Sequence, residues 1–415
     1  MQTLPLTQII DWALFIFCWL SLVEALYSLR GGLAFRRFLL SQASPAPVGP
    51  SPAASLIVPC RGLDPGFRSN LEAFFLQDHP DYQLILVCDS PQDPCLPVLR
   101  SLQKEHPTPP TRIVIAGSAR GRSQKVHNQL AALGHLREHD QAIAFGDSDI
   151  RPHQDWLRFL LAPLAKDHCA ASTGFRWYVP QRGGWASWLR SVWNAGSLSL
   201  LSEKDSPFAW GGAMAMTRRR FQELEIARRW QGALSDDYAL SGAVRESSSK
   251  SGRGICFQPH AISLSLEDCT WKELLEFTFR QMVITRVYHP TLWKLALAGQ
   301  SLNTLSLWGS AVWLACSALL GRSGPAFVAL WLSLIASIYL LGVWKAKLRL
   351  RALDALLPPS ALRRRWTYLL LGPLAALVTL QALVRSAASR EITWRGIRYR
   401  LHSPEETETL GEEVS

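Results

Sequence analysis

Four apolar runs constrain this chain of 415 residues more than any other feature of its sequence. They cover residues 9–29, 302–321, 326–344 and 367–384. Each has about the 20 residues that a helix needs to cross the hydrocarbon core of a bilayer. The first run is too long for a signal peptide and lacks the small-residue cleavage pattern, so we interpret it as an anchor. The sequence therefore predicts a multi-pass integral membrane protein.

Basic residues flank these runs unevenly and predict the orientation of the chain. No Lys or Arg precedes the first run, Arg30, Arg36 and Arg37 follow it, and a second basic cluster lies at 345–365. Short basic loops stay in the cytoplasm, so we expect an outside N-terminus and a cytoplasmic segment from about residue 30 to about residue 300. The eight cysteines form no C-x-x-C pair, which suits a reducing cytoplasm without zinc sites or disulfide bonds.

The net charge of +11 indicates anionic partners. The soluble part shows no basic stripe with interleaved aromatic residues, so nucleic acid is not an expected partner. The charge suits an anionic membrane surface and an anionic donor instead.

The segment between the first and second apolar runs alternates short apolar strands with helical patterns. Strands are predicted at 54–59, 82–88, 112–115 and 142–146, and helices at 67–77, 93–105, 124–135 and 154–164. Strands that alternate with helices of this size predict an α/β domain with a doubly wound, mostly parallel sheet. No G-x-G-x-x-G follows a strand, which argues against a dinucleotide-dependent oxidoreductase.

Two carboxylates one residue apart follow the fourth predicted strand. Asp147 and Asp149 come directly after it, and residues i and i+2 of an extended segment point to the same side. Ligands of open α/β sheets bind beyond the carboxyl ends of the strands, so this pair can hold a divalent cation. An ordinary Asp-rich turn is the alternative.

Further candidate residues lie at other strand tips and turns. Two segments have a structural and a functional interpretation: Gly211-Gly212 is a turn or a close approach of backbone to a ligand, and Asp236-Asp237 is a helix cap or a general base. Residues 183–202 carry three tryptophans at helical spacing, which predicts core packing or an interfacial helix, and residues 270–288 are amphipathic.

Several motifs, in this order, give the chain a resemblance to a known family. They are Pro59-Cys60-Arg61-Gly62-Leu63-Asp64-Pro65, Asn70-Leu71-Glu72-Ala73-Phe74-Phe75, Cys88-Asp89, Asp93-Pro94, Gln124-Lys125-Val126-His127-Asn128, Asp147-Ser148-Asp149-Ile150-Arg151, Asp236-Asp237-Tyr238 and Ile392-Thr393-Trp394-Arg395-Gly396-Ile397-Arg398-Tyr399-Arg400. With them the chain resembles the ceramide glucosyltransferases, membrane-bound enzymes of glycosyltransferase family 2 with the Rossmann-like GT-A fold. The resemblance implies a UDP-sugar donor such as UDP-glucose, a Mg²⁺ or Mn²⁺ cofactor and a lipid hydroxyl acceptor such as ceramide.

The resemblance also implies roles for individual residues. It assigns Asp237, beside Asp236, to the catalytic base, and Asp147 and Asp149 to the metal and diphosphate. The implied nucleotide-sugar site comprises Pro59, Arg61, Gly62, Asp89, Lys125, Asp147, Gly211, Gly212 and Arg280. Arg280 is the one arginine that matches the family's Arg-x-x-Arg-Trp motif, whose other positions hold Val283 and Ile284. That departure leaves hopanoids or other lipids as alternative acceptors. A processive polysaccharide synthase and a non-catalytic membrane scaffold are less favoured alternative functions.

Together these features predict six segments. They are an anchor at 1–30, a linker at 31–52, a cytoplasmic catalytic domain at 53–268, an amphipathic interfacial segment at 269–300, membrane or re-entrant helices at 301–390 and a C-terminal tail at 391–415. We expect the acidic residues 405–413 of this tail to be solvated and disordered. Three crossings after the catalytic domain would place the basic residues 385–400 outside the cell, against the charge rule. We therefore expect the segment with Gly372-Pro373 to be re-entrant or interfacial.

Overall fold

The computed structural model describes residues 6–42, 51–166, 168–320 and 324–412. Residues 43–50 of the predicted linker lie outside the described residues. The predicted boundary at residue 30 is wrong, because the first helix continues without a break to Ser41.

A seven-stranded sheet forms the centre of the soluble part. Its strands are β1 Ala54–Pro59, β2 Tyr82–Cys88, β3 Thr111–Ile115, β4 Ala142–Gly146, β5 Cys169–Tyr178, β6 Ala213–Thr217 and β7 Gly254–Ser265. Their order is β3-β2-β1-β4-β6-β5-β7, and only β6 runs antiparallel to its neighbours. The α/β class and the mostly parallel sheet are confirmed, and β4, which precedes Asp147, is the central strand.

Fifteen α-helices lie in the described ranges. They are α1 Leu6–Ser41, α2 Phe67–Phe75, α3 Cys95–Glu105, α4 Gln124–Leu133, α5 Trp156–Leu161, α6 Trp185–Leu198, α7 Arg218–Glu223, α8 Ile226–Arg229, α9 Asp236–Ser251, α10 Trp271–Tyr288, α11 Pro290–Thr304, α12 Ser310–Leu319, α13 Pro325–Leu353, α14 Arg365–Leu370 and α15 Gly372–Ala388. A π-helical turn at Leu305–Gly309 joins α11 to α12.

Helices cover both faces of the sheet because successive strand residues point to opposite faces. Leu56 and Val58 of β1 pack in one core with α2, α3 and α5. Ile57, between them, packs in a second core with α4 and α9. Strands covered on both faces consist of continuous apolar runs, which is why β1, β2 and β4 are predictable from the sequence to within a residue.

Three helical segments are long and apolar enough to span a membrane: Leu6–Ser41, Pro290–Leu319 and Pro325–Leu353. They pack together through Leu14, Leu314 and Trp331, while Trp19, Val312 and Leu340 are among their exposed apolar side chains. The fourth apolar run does not form one long helix in the part of the chain that is described. Gly372-Pro373 separates the short α14 from the 17-residue α15, because proline cannot continue the preceding helix.

The C-terminal segment forms a second sheet. Strands β8 Glu391–Trp394, β9 Ile397–Ser403 and β10 Glu406–Glu412 pair antiparallel in the order β10-β9-β8. The expectation of a solvated, disordered acidic tail is therefore wrong up to Glu412. Acidic composition favours a hydrated backbone, but here the backbone N–H and C=O groups form hydrogen bonds with β9. Ile397 and Tyr399 pack against Leu234, which lies just before α9, and against Tyr288 at the end of α10.

The amphipathic segment predicted at 269–300 divides into two helices. A capping box of Thr270 and Glu273 starts α10, whose Val283 and Ile284 are buried in the core shared with the C-terminal sheet. The rest of the segment belongs to α11, the start of the second candidate span. Two of the three tryptophans of α6, Trp188 and Trp193, pack on the core, whereas the third, Trp185, is exposed.

Candidate active site

A cavity of about 560 Å³ lies at the carboxyl ends of β1 and β4. The polar end contains the side chains of Lys125, Asp147, Asp149, Asp236 and Asp237, which lie far apart in the sequence. The topology brings them together because the parallel strands of an open sheet end at the same edge.

Asp147 and Asp149 share one cationic neighbour, Arg176 of β5. Its Nη2 lies 3.2 Å from Asp147 Oδ2 and also pairs with Asp149 Oδ1. The guanidinium packs on two aromatic rings, with its Cζ 5.1 Å from the Trp210 centroid and 5.3 Å from the Tyr178 centroid. Burial alone would raise the pKa of Asp149, but the charges of Arg176 and Arg395 lower it below its ordinary value.

Lys125 links the carboxylates after β4 to those at the start of α9. Its Nζ lies 2.9 Å from Asp147 Oδ1 and 3.1 Å from Asp236 Oδ2. Burial alone would lower the pKa of Lys125, but these carboxylates raise it above its ordinary value. The residue lies in the first turn of α4, where the Ser123 side chain caps the helix, and not in the preceding loop.

Asp236 and Asp237 begin α9 and have different surroundings. Ser235 caps the helix, and Asp237 Oδ1 also accepts a hydrogen bond from the Tyr238 backbone N–H at 2.7 Å. Asp237 Oδ2 accepts from the Gly211 N–H at 3.1 Å. Burial, followed by the neighbouring charge of Asp236, raises the pKa of Asp237 to about 6. The capping interpretation holds for Ser235, and Asp237 remains available to the cavity.

Gly211 and Gly212 make room for these charged groups. A Cβ on Gly211 would lie 2.8 Å from both Asp236 Oδ2 and Lys125 Nζ, and a Cβ on Gly212 would lie 2.6 Å from Asp147 Oδ2. Any larger residue would therefore push the carboxylates and the ammonium group out of place. The structure places both glycines against the side chains of the site itself, and the predicted approach of their backbone to a ligand stays a prediction.

The predicted donor-binding residues at the ends of β1 and β2 divide into two that line one edge of this cavity, Pro59 and Arg61, and two that do not, Gly62 and Asp89. Arg61 Nη1 pairs with Asp89 Oδ2 at 3.1 Å. Gly62, with φ of 67°, donates its N–H to Asp93 Oδ1 at 3.0 Å. Burial raises the pKa of Asp89, an effect that Arg61 opposes. Asp89 is thus linked to the cavity by its ion pair with Arg61 and does not line the cavity itself.

Arg280 of α10 lies between two aromatic rings on the cavity wall. Its Cζ is 5.6 Å from the Phe277 centroid and 5.7 Å from the Trp394 centroid. Within the described ranges it forms no ion pair at 4.0 Å or less. Burial lowers the pKa of this guanidinium to about 10. A half-buried cation without a carboxylate partner among the described residues, at a polar cavity, is suited to an anionic ligand.

Arg286 takes no part in this cavity. Its guanidinium donates to the Ser386 carbonyl and packs on Trp293, so it holds the C-terminal end of α15. The amphipathic pattern of α10 could not distinguish this arginine from Arg280, because both are basic residues on one helix.

Two functional side chains were not predicted from the sequence. Arg176 lies in the buried strand β5, and a charge in an apolar strand is a signal for a site. Arg395, in the turn after β8, pairs with Asp64 Oδ2 at 2.8 Å and lies 3.8 Å from Asp149 Oδ2. Its motif was recognised, but only the docking of the C-terminal sheet reveals its partners.

The residues present fit a divalent cation held by two carboxylates. No group of three or more His, Cys, Asp or Glu side chains suited to a metal ion occurs in the described chain. Mg²⁺ usually needs only one or two protein carboxylates and takes its other ligands from water and substrate phosphates. Asp147 and Asp149 are the carboxylates that would hold the cation, and at present one nitrogen of Arg176 contacts an oxygen of each.

The other end of the cavity is largely apolar and reaches the candidate membrane helices. Its lining includes Phe208 of the soluble domain, Trp193 of α6, Leu292 and Ala296 of α11, and Thr379 of α15. The cavity therefore joins a highly charged end to an apolar end.

Comparison with known families and curated proteins gives consistent results. A model of glycosyl transferase family 21 matches residues 13–407. Ceramide glucosyltransferase 1 of Caenorhabditis elegans is 35% identical over 133 residues, which are 32% of this chain and 28% of that protein. The ceramide glucosyltransferase of Candida albicans is 38% identical over 66 residues, 15% of this chain and 12% of the relative. The chain thus spans between 12% and 28% of the length of these relatives. The resemblance to ceramide glucosyltransferases is confirmed, with family 21 in place of the expected family 2.

Solved structures of glycosyltransferases are also similar to this chain. One is a mannosyltransferase from Pyrobaculum calidifontis in complex with GDP-Man and Mn²⁺, with a TM-score of 0.48 and 17% identity over 92% of this chain and 98% of that chain. Another is glucosyl-3-phosphoglycerate synthase from Mycobacterium tuberculosis in complex with Mn²⁺, UDP and phosphoglyceric acid. Its TM-score is 0.36, with 16% identity over 57% of this chain and 78% of that chain.

Proposed function

The chain belongs to glycosyl transferase family 21, and from this premise we propose that it transfers one sugar from a UDP-sugar to the hydroxyl of a membrane lipid. Glucose and ceramide are the proposed sugar and acceptor, because the curated relatives are ceramide glucosyltransferases. The observation that carries the proposal is the single cavity with Asp147, Asp149 and Asp237 at one end and membrane-helix side chains at the other.

The charged end suits the diphosphate of a nucleotide sugar. Lys125, Arg176 and Arg280 bring three cations to it, and Arg280 has no protein carboxylate pair in the chain as described. A divalent cation on Asp147 and Asp149, Mg²⁺ or Mn²⁺, would when bound supply positive charge to the leaving diphosphate, a contribution of several kcal/mol. Arg61, paired with Asp89, would contact the nucleotide at the edge formed by β1 and β2.

Asp237 is the proposed base. It would accept the proton of the lipid hydroxyl as that oxygen attacks the anomeric carbon, giving inversion in a single displacement. A positioned general base contributes about 10²- to 10⁴-fold. Asp236 would act on Asp237 by charge alone, because its own carboxylate is held by Lys125 and by Gln129, whose Nε2 donates to it at 2.8 Å. One carboxylate suffices because the diphosphate leaves without a general acid.

The apolar end suits the hydrocarbon part of the acceptor. Leu292 and Ala296 come from a helix long and apolar enough to span a membrane. Gln300, one turn further along α11, also lines the cavity, and its Oε1 is buried without a hydrogen-bond partner among the described residues. It offers an acceptor to a polar group of the lipid.

We further propose a multi-pass arrangement with a cytoplasmic catalytic domain. With an outside N-terminus, α1 brings the chain to the cytoplasm, and the two later spans lead out and back. The C-terminal sheet then lies on the catalytic side, in agreement with the ion pair between Arg395 and Asp64. The interrupted pair α14 and α15 would lie at the interface without crossing.

A donor and acceptor panel tests the function. The full chain is purified into nanodiscs that contain ceramide, a hopanoid with a free hydroxyl or neither lipid, and it is supplied with UDP-glucose, UDP-galactose or GDP-mannose. We expect one hexose on ceramide with UDP-glucose, lost on addition of a chelator. Transfer to the hopanoid and not to ceramide would show that the acceptor is a hopanoid. Long glucans would identify a polysaccharide synthase, and no transfer with any donor and acceptor pair would contradict the proposed function.

A further inference from the structure

A second cavity, of about 310 Å³, lies among the candidate membrane helices beside the cavity of the candidate active site (the reaction cavity). It is bounded by α6, α11, α13, α14 and α15. It shares Trp193, Gly196, Gln300 and Thr379 with the reaction cavity. The proposed glycosyl transfer gives this second space no role.

Two cations of α13 line this cavity. Lys345 and Arg349 are four residues apart, so they lie on the same face of the helix, one turn from each other. Lys345 Nζ donates to Ser28 Oγ at 2.5 Å, and Arg349 Nη1 donates to Ser199 Oγ at 3.3 Å. Arg349 is only 8% exposed, and its Nε finds no hydrogen-bond partner among the described residues.

Neither cation has a carboxylate within 4.0 Å in the part of the chain that the structure describes. Glu24 of α1 is the acidic residue whose charge acts on Lys345, and it is exposed. A buried charge that is neither paired nor fully hydrogen-bonded is strongly unfavourable. An anion at this place would therefore stabilise the half-buried Lys345 and, above all, the buried Arg349.

The rest of the cavity shows what kind of molecule would carry that anion. Ile338, Tyr339 and Val343 continue the lining along α13 away from the two cations, and Leu369 and Pro373 face them. From Ile338 to Arg349 the helix rises about 16 Å. One end of the space is therefore cationic and the other is apolar, at the end of α13 that the proposed topology places in the cytoplasmic leaflet.

We propose that this cavity binds the phosphate of an anionic membrane phospholipid, with Lys345 and Arg349 as its charge partners and its hydrocarbon along α13. The bound lipid would complete the wall formed by Trp193 and Gln300, on the other side of which the acceptor would lie. The site rests only on the proposed membrane placement of α13, not on the identity of the sugar or acceptor.

Native mass spectrometry of the purified full chain tests the site without any glycosyl transfer. The protein is equilibrated with phosphatidylglycerol and with phosphatidylcholine. We expect one phosphatidylglycerol to be retained in preference to phosphatidylcholine. In the double variant K345Q/R349Q we expect that retention to fall by about tenfold or more, since charge-assisted contacts to phosphate are lost. Equal retention of the two lipids by the unsubstituted protein would overturn the proposal without recourse to any variant.

The matched control is K347Q/R351Q, which removes two exposed positive charges from the same end of the same helix. Unchanged phosphatidylglycerol retention in this control supports a specific site, and an equal loss in both double variants would show general surface attraction and overturn it. Arg349→Lys keeps the charge and is expected to keep the lipid.

Two further arms complete the test. Thermal unfolding of each variant identifies a change in folding, and a K345Q/R349Q protein that melts with the control and still binds the lipid contradicts the site. Inorganic phosphate, added in place of lipid, is expected to give little protection against unfolding. Protection equal to that by phosphatidylglycerol, lost in K345Q/R349Q, would make a free phosphate the ligand and overturn the lipid assignment.

Discussion

At Asp237, burial and the charge of Asp236 raise the pKa to about 6. A carboxylate with this pKa is a stronger base than an exposed aspartate and is still mostly ionised at neutral pH. The hydrogen bond from the Gly211 N–H fixes its orientation. This local environment supports the proposed role of Asp237 as the base.

Replacing Asp237 with Asn removes the base and retains the shape of the side chain. We expect kcat to fall by about 10²- to 10⁴-fold, with UDP-sugar binding retained in a calorimetric titration. Asp155→Asn, an isosteric change at an exposed carboxylate before α5, serves as the control and is expected to leave the rate unchanged. A near-normal rate in the Asp237 variant would exclude this carboxylate as the base.

The pH dependence of kcat/KM follows from the direction of the same shift. Asp237 must be ionised to accept a proton, so activity is expected to fall as the pH decreases through about 6. Asp236→Asn removes the like charge and releases Lys125, and both changes favour the ionised form of Asp237. The acidic limb should then move to lower pH, as initial rates measured from pH 4 to 8 would show. A limb that stays in place or moves upward would assign it to another group.

Arg280 is expected to bind the donor through its charge. Arg280→Gln should lower kcat/KM for the UDP-sugar by about 10- to 100-fold, because charge-assisted contacts to phosphate are lost. Lys272→Gln, on the exposed face of the same helix and paired with Glu276, is the matched control in the same rate measurement. Equal effects of the two changes would indicate general electrostatic attraction and no direct contact.

The sequence was sufficient to predict some of these residues and not others. Asp147 and Asp149 are recognisable because their spacing at a strand end fixes their common direction. Arg176 and Arg395 are not, because their partners depend on how β5 and the C-terminal sheet lie against β4. Only the assembled fold reveals that one guanidinium contacts both Asp147 and Asp149.

At the scale of elements, the C-terminal sheet completes the active-site wall. Trp394, the last residue of β8, and Arg395, in the turn that follows, line the cavity. Tyr399 Oη accepts a hydrogen bond from the Gln124 backbone N–H at 3.1 Å. This sheet therefore holds both the start of α4, which carries Lys125, and the loop that carries Asp64.

Arg395→Gln tests the docking of this sheet. We expect hydrogen exchange in β8–β10 to become about two- to fivefold faster, in keeping with a loss of ~0.5–1 kcal/mol for a partly exposed ion pair. Arg398→Gln, whose partner Glu391 lies within the sheet, should leave the contact with the catalytic domain intact. Unchanged exchange in the Arg395 variant would show that apolar packing alone holds the sheet.

Elements covered on both faces were the easiest to predict. The bounds of β1, β2 and β4 match the expectation because short, mostly apolar runs that stop at Pro59, Asp89 and Gly146 have few other interpretations. Strand β10 was not predicted, because its alternating Glu and Thr residues are polar on both sides. The pairing that orders it comes from β9, which is a tertiary effect.

At the scale of the whole molecule, the position of the C-terminal sheet limits the membrane topology. The sheet contacts the catalytic domain, so the proposed membrane arrangement requires an even number of crossings between them. Two long helices lie in that interval, and the broken pair α14 and α15 contains only a 17-residue helix. Three crossings after the catalytic domain would place the basic residues 385–400 outside the cell. This conflict with the charge rule is removed if the last apolar run stays at the interface.

Cysteine labelling in sealed cells tests this topology, in a background with Cys269 and Cys316 changed to Ser. We expect Gly324→Cys to react with a membrane-impermeant maleimide added outside. Pro404→Cys, at the turn between β9 and β10, should react only after permeabilisation, as should Asp155→Cys in the catalytic domain as the control. Labelling of Pro404→Cys from outside would require an odd number of crossings.

The most direct measurement of the central claim is mass spectrometry of lipids from cells that express the protein or its Asp237→Asn variant at equal levels. The account predicts a membrane lipid heavier by one hexose with the unsubstituted protein, and its absence with the variant. The same glycolipid at the same level in both cells, or no new glycolipid in either, would contradict a sugar transfer carried out in this cavity.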